Sequence, residues 1–354
     1  MLPLFLLALA VAQDVDVFVS GEGGYHTYRI PAIVATNKGT LLAFCEGRRG
    51  SSSDAGDIDL LLRRSFDGGK SWGPVQVVAD MGADTIGNPA PVVDRKTGDI
   101  VMLLTYNGGK ITEKMIEEGL GDRTVWVVRS RDDGETWSAP VEITKQVKLP
   151  DWTWYATGPG NGIQLRKSGR LVIACDHTRR ETKEMHSHLV YSDDHGETWH
   201  IGAIADEKTN ESAVAELRNG ELVLNMRSYH RQGRRAVQRS NDGGLSLDKL
   251  QMDGTLVEPV CQGSLISIKG GRWLVFSNPA SETKREKMTV RISKDKGRMW
   301  PYAELVFEGP SAYSSLVELK GRQIGLLYER GDQRPYERIR FTVLSVESIA
   351  RKTQ

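Results

Sequence analysis

The chain has 354 residues, with 47 Lys and Arg against 46 Asp and Glu, so its formal net charge at neutral pH is +1. That balance excludes a whole-molecule field drawing in nucleic acid or a membrane surface, and no stretch is long and apolar enough to be a membrane span. Length alone suggests two or three domains, while the three scattered cysteines, Cys45, Cys175 and Cys261, have no metal-type spacing and are expected as buried thiols.

Met1–Ala12 (MLPLFLLALAVA) is an apolar run closing on Ala10-Val11-Ala12, a small–x–small cleavage pattern before Gln13. It reads as the signal peptide of an exported protein, periplasmic or secreted. It lacks a Lys or Arg near Met1, and the alternative is a hydrophobic first strand. Residues 14–20 (DVDVFVS) alternate apolar and polar and read as a strand. In Tyr28-Arg29-Ile30-Pro31 the proline suits the start of a strand and not its middle, which puts Arg29 at a strand end. Thr40–Cys45 reads as a further strand, followed by a Gly/Ser-rich loop from Glu46 to Asp57 with the acids Glu46, Asp54 and Asp57, and Asp59 just beyond.

Next comes SFDGGKSW from Ser65, the first copy of a frame that returns as SRDDGETW from Ser130, SDDHGETW from Ser192, SNDGGLSL from Ser240 and SKDKGRMW from Ser293. Its aspartates, Asp67, Asp132, Asp194, Asp242 and Asp295, are 65, 62, 48 and 53 residues apart, the mark of a repeat architecture. Each copy has the chemistry of a hairpin turn. The Asp accepts turn amides, the Gly two residues on takes positive φ without steric cost, the hydroxyl ties the turn, and the Trp returns to the sheet with a large apolar face. One carboxylate per unit is too regular for a catalytic cluster, and the copies drift as turns tolerate.

This frame resembles the Asp-box of the sialidase (neuraminidase) superfamily, and Tyr-Arg-Ile-Pro before the first box is similar to its signature. The resemblance implies an all-β fold, a six-bladed β-propeller of four-stranded antiparallel blades occupying residues 13–354 as one domain. Six blades of about 50 to 60 residues would use that length.

Further along, residues 84–94 resemble the inner strand of the second blade, with Asn88 facing a pocket. Lys110–Arg123 is a polar insertion with Met115, Ile116 and Leu120 at helical spacing, read as a short rim helix. Asp151–Tyr155 is an aromatic group, either a sugar platform or rim packing. His177, His186, His188 and His195 lie near one another, but no third ligand is fixed by spacing, so no metal is assigned. Asn219-Gly220 is a hairpin signal that returns Arg227 to the same end of a blade as Glu211. Glu216, nearer the turn, is the rival acid. Arg285 precedes the strand Met288–Ser293, in which Arg291 is its competitor. Tyr313 lies in Gly309–Leu316, ahead of a strand.

By the resemblance, Asp54 is the acid/base (Asp57 the fallback), Tyr313 the nucleophile and Glu211 its base. Arg29, Arg227 and Arg285 bind the substrate carboxylate, and Arg48 and Asn88 contact sugar hydroxyls. Converging guanidiniums suit a carboxylate, and a neutral phenol approaches an anomeric carbon bearing an anion more easily than a carboxylate would. The function implied is an exo-α-sialidase acting on terminal sialic acid of sialylated glycans, without a cofactor and with retention. The alternatives are a catalytically silent Asp-box propeller that binds anionic glycans, or a trans- or intramolecular trans-sialidase.

Overall fold

Runs of Val, Leu and Ile separated by Gly- and Asp-containing turns form 24 strands in the computed structural model, which describes residues 14–352; three single-turn helices complete the regular structure there. The expected signal peptide, Met1–Ala12, lies outside the described residues.

The fold is all-β. Asp14–Val19 pairs antiparallel with Arg338–Ser345, so the first described strand closes onto the last. Going along the chain, Thr27–Ala35, Leu41–Arg48, Ile58–Ser65 and Gln76–Ala79 pair in succession, and Thr85–Val93, Ile100–Asn107, Thr124–Ser130 and Val141–Glu142 do the same. One parallel pair, Ile58 with Thr85, joins these two groups into one sheet. Trp152–Thr157, Leu171–Arg179, Met185–Ser192 and His200–Glu207 follow in a second sheet, and Thr209–Glu216, Leu222–Ser228, Arg234–Ser240 and Gln251–Val257 in a third. In the fourth, the 18-residue strand Tyr302–Leu319 pairs at its beginning with Glu286–Ser293 and at its end with Gln323–Arg330.

The five recurrent turns share one hydrogen-bond scheme, except that the fifth has Met299 where the others carry the closing hydroxyl. In the second, Ser130 Oγ donates to Asp132 Oδ1 (2.9 Å) and accepts from Gly134 N (2.9 Å), while Asp132 accepts from Thr136 N (2.9 Å) and Thr136 Oγ1 (2.5 Å). The glycine has positive φ in every copy, and so does the residue before it, including Asp133, His195 and Lys296. Two successive left-handed residues match the right-handed twist of the flanking strands. The closing side chain of each turn enters a different apolar cluster. Trp72 packs with Leu41 and Phe341, Trp137 with Phe44 and Leu62, Trp199 with Leu171 and Val190, Leu247 with Leu189 and Leu222, and Trp300 with Leu265 and Phe276. The turns therefore pin sheet to sheet.

Three readings differ from those of the sequence. Pro31 lies in the middle of Thr27–Ala35 and Arg29 is not at a strand end, because the pairing breaks between Arg29 and Ala32, where proline's missing N–H costs no ladder bond. Glu46, Gly47 and Arg48 continue the strand Leu41–Arg48 instead of opening the loop, because they keep pairing with Ile58–Leu60. Tyr313 lies inside Tyr302–Leu319 and not ahead of a strand, because the chain stays extended as it crosses from one partner strand to the next.

Candidate active site

Asp54, Glu211, Tyr313, Arg29, Arg227, Arg285, Arg48 and Asn88 all line one cavity of about 180 Å³. They come from segments up to 284 residues apart, Arg29 to Tyr313, and Arg29, Asn88, Glu211 and Tyr313 all sit where the strand pairing is broken.

Arg29 is set by a local distortion. The pairing of Thr27–Ala35 is irregular between Arg29 and Ala32, and Ile30 has φ 60°, an unusual value for a β-branched residue. Glu329, on Gln323–Arg330 and fully buried, holds the distortion in place: its carboxylate accepts from Ile30 N (2.8 Å), Arg29 Nε (3.2 Å) and Tyr313 N (3.0 Å). One buried acid thus fixes both a guanidinium and the backbone of the tyrosine.

Glu211 and Arg227 face each other across the hairpin, in the irregular stretch between Thr209 and Ser212. Arg227 Nη1 donates to Glu211 Oε2 at 2.7 Å, and Tyr313 Oη donates to Glu211 Oε1 at 2.5 Å. Arg227 Nη2 is held by Tyr229 Oη (2.6 Å). Arg285 leaves the 280–285 loop, donates to Tyr336 Oη (2.9 Å) and lies 5.6 Å from the Tyr313 ring centre; Arg29 lies 4.9 Å from that ring. Burial, then the neighbouring Glu211 carboxylate, pushes the Tyr313 phenol well above its ordinary range against the pull of the three arginines. The resting group is therefore the protonated phenol.

Asp54 stands on the rim with its side chain 64% exposed, 2.7 Å from Arg48 Nη2 and 3.4 Å from Arg29 Nη1. Burial of its surroundings would raise its carboxyl, but Arg48 and Arg29 outweigh that and hold it below the usual carboxylate range. Arg48 is itself held by Glu46 Oε2 (2.6 Å), and Asn88 N donates to the other Glu46 oxygen (2.9 Å).

The competitors lie elsewhere. Asp57 pairs with Arg49 (3.2 Å), and Glu216 accepts from Arg166 N (3.0 Å) beside a second cavity. Arg291 is buried within Glu286–Ser293. Of the aromatic group, Trp152 and Tyr155 enter the core and only Trp154 reaches the cavity, 4.2 Å above Arg123. The rim helix is Glu113–Glu117, and Glu113 lines the cavity. His177 stacks on Trp152 and meets His188 (3.0 Å), which contacts Tyr155 Oη (3.0 Å); burial pushes His188 down to about 3. These rings are neutral packing groups behind the cavity wall. Cys45, Cys175 and Cys261 are buried free thiols.

Sequence reading left Glu46 without a role and missed Glu329, Arg123 and Asp176 as lining or supporting groups. The available signal was a charged residue inside an otherwise apolar strand, as in LLAFCEGR and QIGLLYER. Asp176 is fully buried, and that burial, with the Glu211 carboxylate, drives its carboxyl well above the usual range where it lines the cavity.

Repeated Ser–Asp turns on an all-β scaffold, with a guanidinium-rich cavity, define the class of Asp-box proteins. A family model described as "BNR repeat-like domain" matches residues 39–327. The chain is 34% identical over 352 residues to a sialidase of Bacteroides fragilis, covering 90% of this chain and 62% of that protein. It is 34% identical over 357 residues to an exo-alpha-sialidase of Aspergillus fumigatus, covering 92% of this chain and 84% of that one. The solved structure of the Hadza microbial sialidase Hz136 superposes with a TM-score of 0.86 at 35% identity, over 95% of this chain and 69% of that one. The chain belongs to the sialidase family. It spans about six-tenths of the Bacteroides relative's length.

Proposed function

We propose that the protein is an exo-α-sialidase that hydrolyses terminal sialic acid from glycoconjugates with retention, through a glycosyl–tyrosine intermediate. The observation that carries this reading is Tyr313 Oη donating to Glu211 Oε1 at 2.5 Å beside Arg29, Arg227 and Arg285. Glu329 and Glu211 already hold Arg29 and Arg227 in place, and a planar substrate carboxylate fits the donor geometry of the three guanidiniums.

In the first step Tyr313 Oη attacks the anomeric carbon while its proton passes to Glu211. The bond to the aglycone oxygen breaks, and Asp54 gives that oxygen a proton. The substrate carboxylate offsets the charge of Arg29, which weakens the hold on Asp54 as an anion and raises its proton affinity when it is needed. In the second step Asp54 takes a proton from water, whose oxygen attacks the anomeric carbon. Tyr313 departs, recovering its proton from Glu211. Two displacements at one carbon give retention.

Two structural readings belong to the same proposal. The pairing order supports six four-stranded units, two of them joined by the Ile58–Thr85 pair and two sharing Tyr302–Leu319. Met1–Ala12 is proposed as a signal peptide for export, to be checked by N-terminal sequencing of the mature protein.

The test is release of free sugar from a fluorogenic sialoside, with Tyr313→Phe as control and the anomer of the first product read by proton NMR. Binding without release by the wild-type protein would leave a silent glycan-binding propeller. Transferred or anhydro product would replace hydrolysis with transfer.

A further inference from the structure

Asn88 has one polar atom left for a ligand. Its N–H donates to Glu46 Oε1 (2.9 Å), its C=O accepts from Thr157 Oγ1 (2.6 Å), and its Oδ1 accepts from Arg123 Nη2 (2.5 Å) and Thr105 Oγ1 (3.4 Å). Nδ2 donates to no described residue, and it is not among the buried unpartnered atoms of this cavity-lining residue. The backbone supports the placement: φ is 54° at Asn88, a left-handed conformation that asparagine tolerates better than most residues.

The amide has one permitted orientation because of Arg123. A guanidinium is a donor only, so a flipped amide would set N–H₂ against N–H and lose the bond. Arg123 is itself immobile. It is 3% exposed, its Nε donates to Tyr155 O (2.8 Å), its Nη1 donates to Asn107 Oδ1, and Trp154 covers its face. No carboxylate lies within salt-bridge distance of it among the described residues. Its hydrogen bonds go to neutral oxygens, while the carboxylates of Glu46, Glu113, Asp176 and Asp54 balance its charge at longer range.

We infer that Arg123 is a positioning residue that engages the carbonyl oxygen of Asn88 and so turns Nδ2 into the cavity, as a donor to a lone-pair-bearing oxygen of the bound sugar. Nδ2 itself is a donor only, beside the Arg48 guanidinium that Glu46 and Asp54 hold. It takes a hydroxyl or acyl carbonyl oxygen and rejects an ammonium or other donor-only group at the same place. The inference rests on the sialidase reading for the identity of the sugar.

Calorimetric titration of N-acetylneuraminic acid, alongside kcat and KM on a fluorogenic sialoside, tests it. Asn88→Asp keeps the oxygen on Arg123 and replaces Nδ2 by a second oxygen; Kd and KM should rise about tenfold, with kcat nearly unchanged. Arg123→Met should raise KM in the wild-type background and add nothing in an Asn88→Ala background. If Arg123→Met does not fold, Asn88→Asp and Arg123→Lys decide. A deoxy analogue or a deacylated amino analogue that binds wild type and Asn88→Asp equally identifies the substituent as hydroxyl or acyl carbonyl. Unchanged Kd and KM for Asn88→Asp would overturn the inference. A wild type that binds the sugar without cleaving it fails the hydrolase reading, and the Kd comparison still decides the role of Arg123.

Discussion

Asp54 is held as an anion by two guanidiniums, and that has a direct kinetic signature. A general acid must be protonated, so kcat/KM falls as pH rises through its pKa in the free enzyme. Removing a neighbouring cation raises that pKa. Arg48→Met should therefore move the alkaline limb of the kcat/KM profile to higher pH, whatever it does to the magnitude; a limb that stays in place or moves down would remove Asp54 from the acid role. Glu211→Gln leaves the phenol without a base, and kcat should drop by about 10²- to 10⁴-fold, measured on the same sialoside. At this scale the sequence revealed the residues whose neighbours along the chain were distinctive, such as Arg29 in Tyr-Arg-Ile-Pro. It hid Glu329, whose bonds to Arg29 and Ile30 close over 300 and 299 positions. It also hid Arg123, which sits at the end of a polar insertion and looks solvent-facing until Asn88 is set beside it.

The Asp-turns show how an element repeats while its sequence drifts. Hydrogen bonds from Ser71 and Thr136 hold Asp67 and Asp132 near 2. Carboxylates with depressed folded values favour the fold above their unfolded range and lose that contribution as pH falls from about 4 toward 2. Asp132→Ala should destabilise the protein by about 2 kcal/mol, because it removes charge-assisted bonds to Thr136 and Ser130; thermal unfolding at neutral pH measures it. The fifth turn has Met299 where the others carry a hydroxyl, and Asp295 accepts only from the Ser293 hydroxyl and the amides of Arg298 and Met299. Met299→Thr should restore the missing bond and raise stability by about 1 kcal/mol. An unchanged or lower melting temperature would show that the hydroxyl adds nothing there. Serine, aspartate, glycine and tryptophan at fixed offsets made the turn legible in the sequence. The paired left-handed residues were not, because Asp, His and Lys at the first of them carry no such signal.

Across the whole molecule, Asp14–Val19 completes the sheet edge of Arg338–Ser345, reinforced by Asp16 pairing with Arg340 at 2.7 Å. Removing residues 1–19 would uncover a strand edge and part of the cluster around Phe18 and Phe341. The truncated protein should melt at least several degrees lower and aggregate on heating, as scattering during a thermal ramp would show. Repeat spacing indicated a repeated unit closed by one kind of turn, and alternation in residues 14–20 indicated a strand. Which strands share a sheet was not legible, since the Ile58–Thr85 contact and the crossing of Tyr302–Leu319 depend on how neighbouring units abut.

The position of Glu329 has a consequence for biosynthesis. It joins Arg29 to Tyr313, 284 positions further along the chain, and follows both of them in sequence. The nascent chain therefore carries an unassembled reaction centre until Glu329 has been made and has emerged, and a premature stop anywhere before Glu329 yields a product that cannot acquire one.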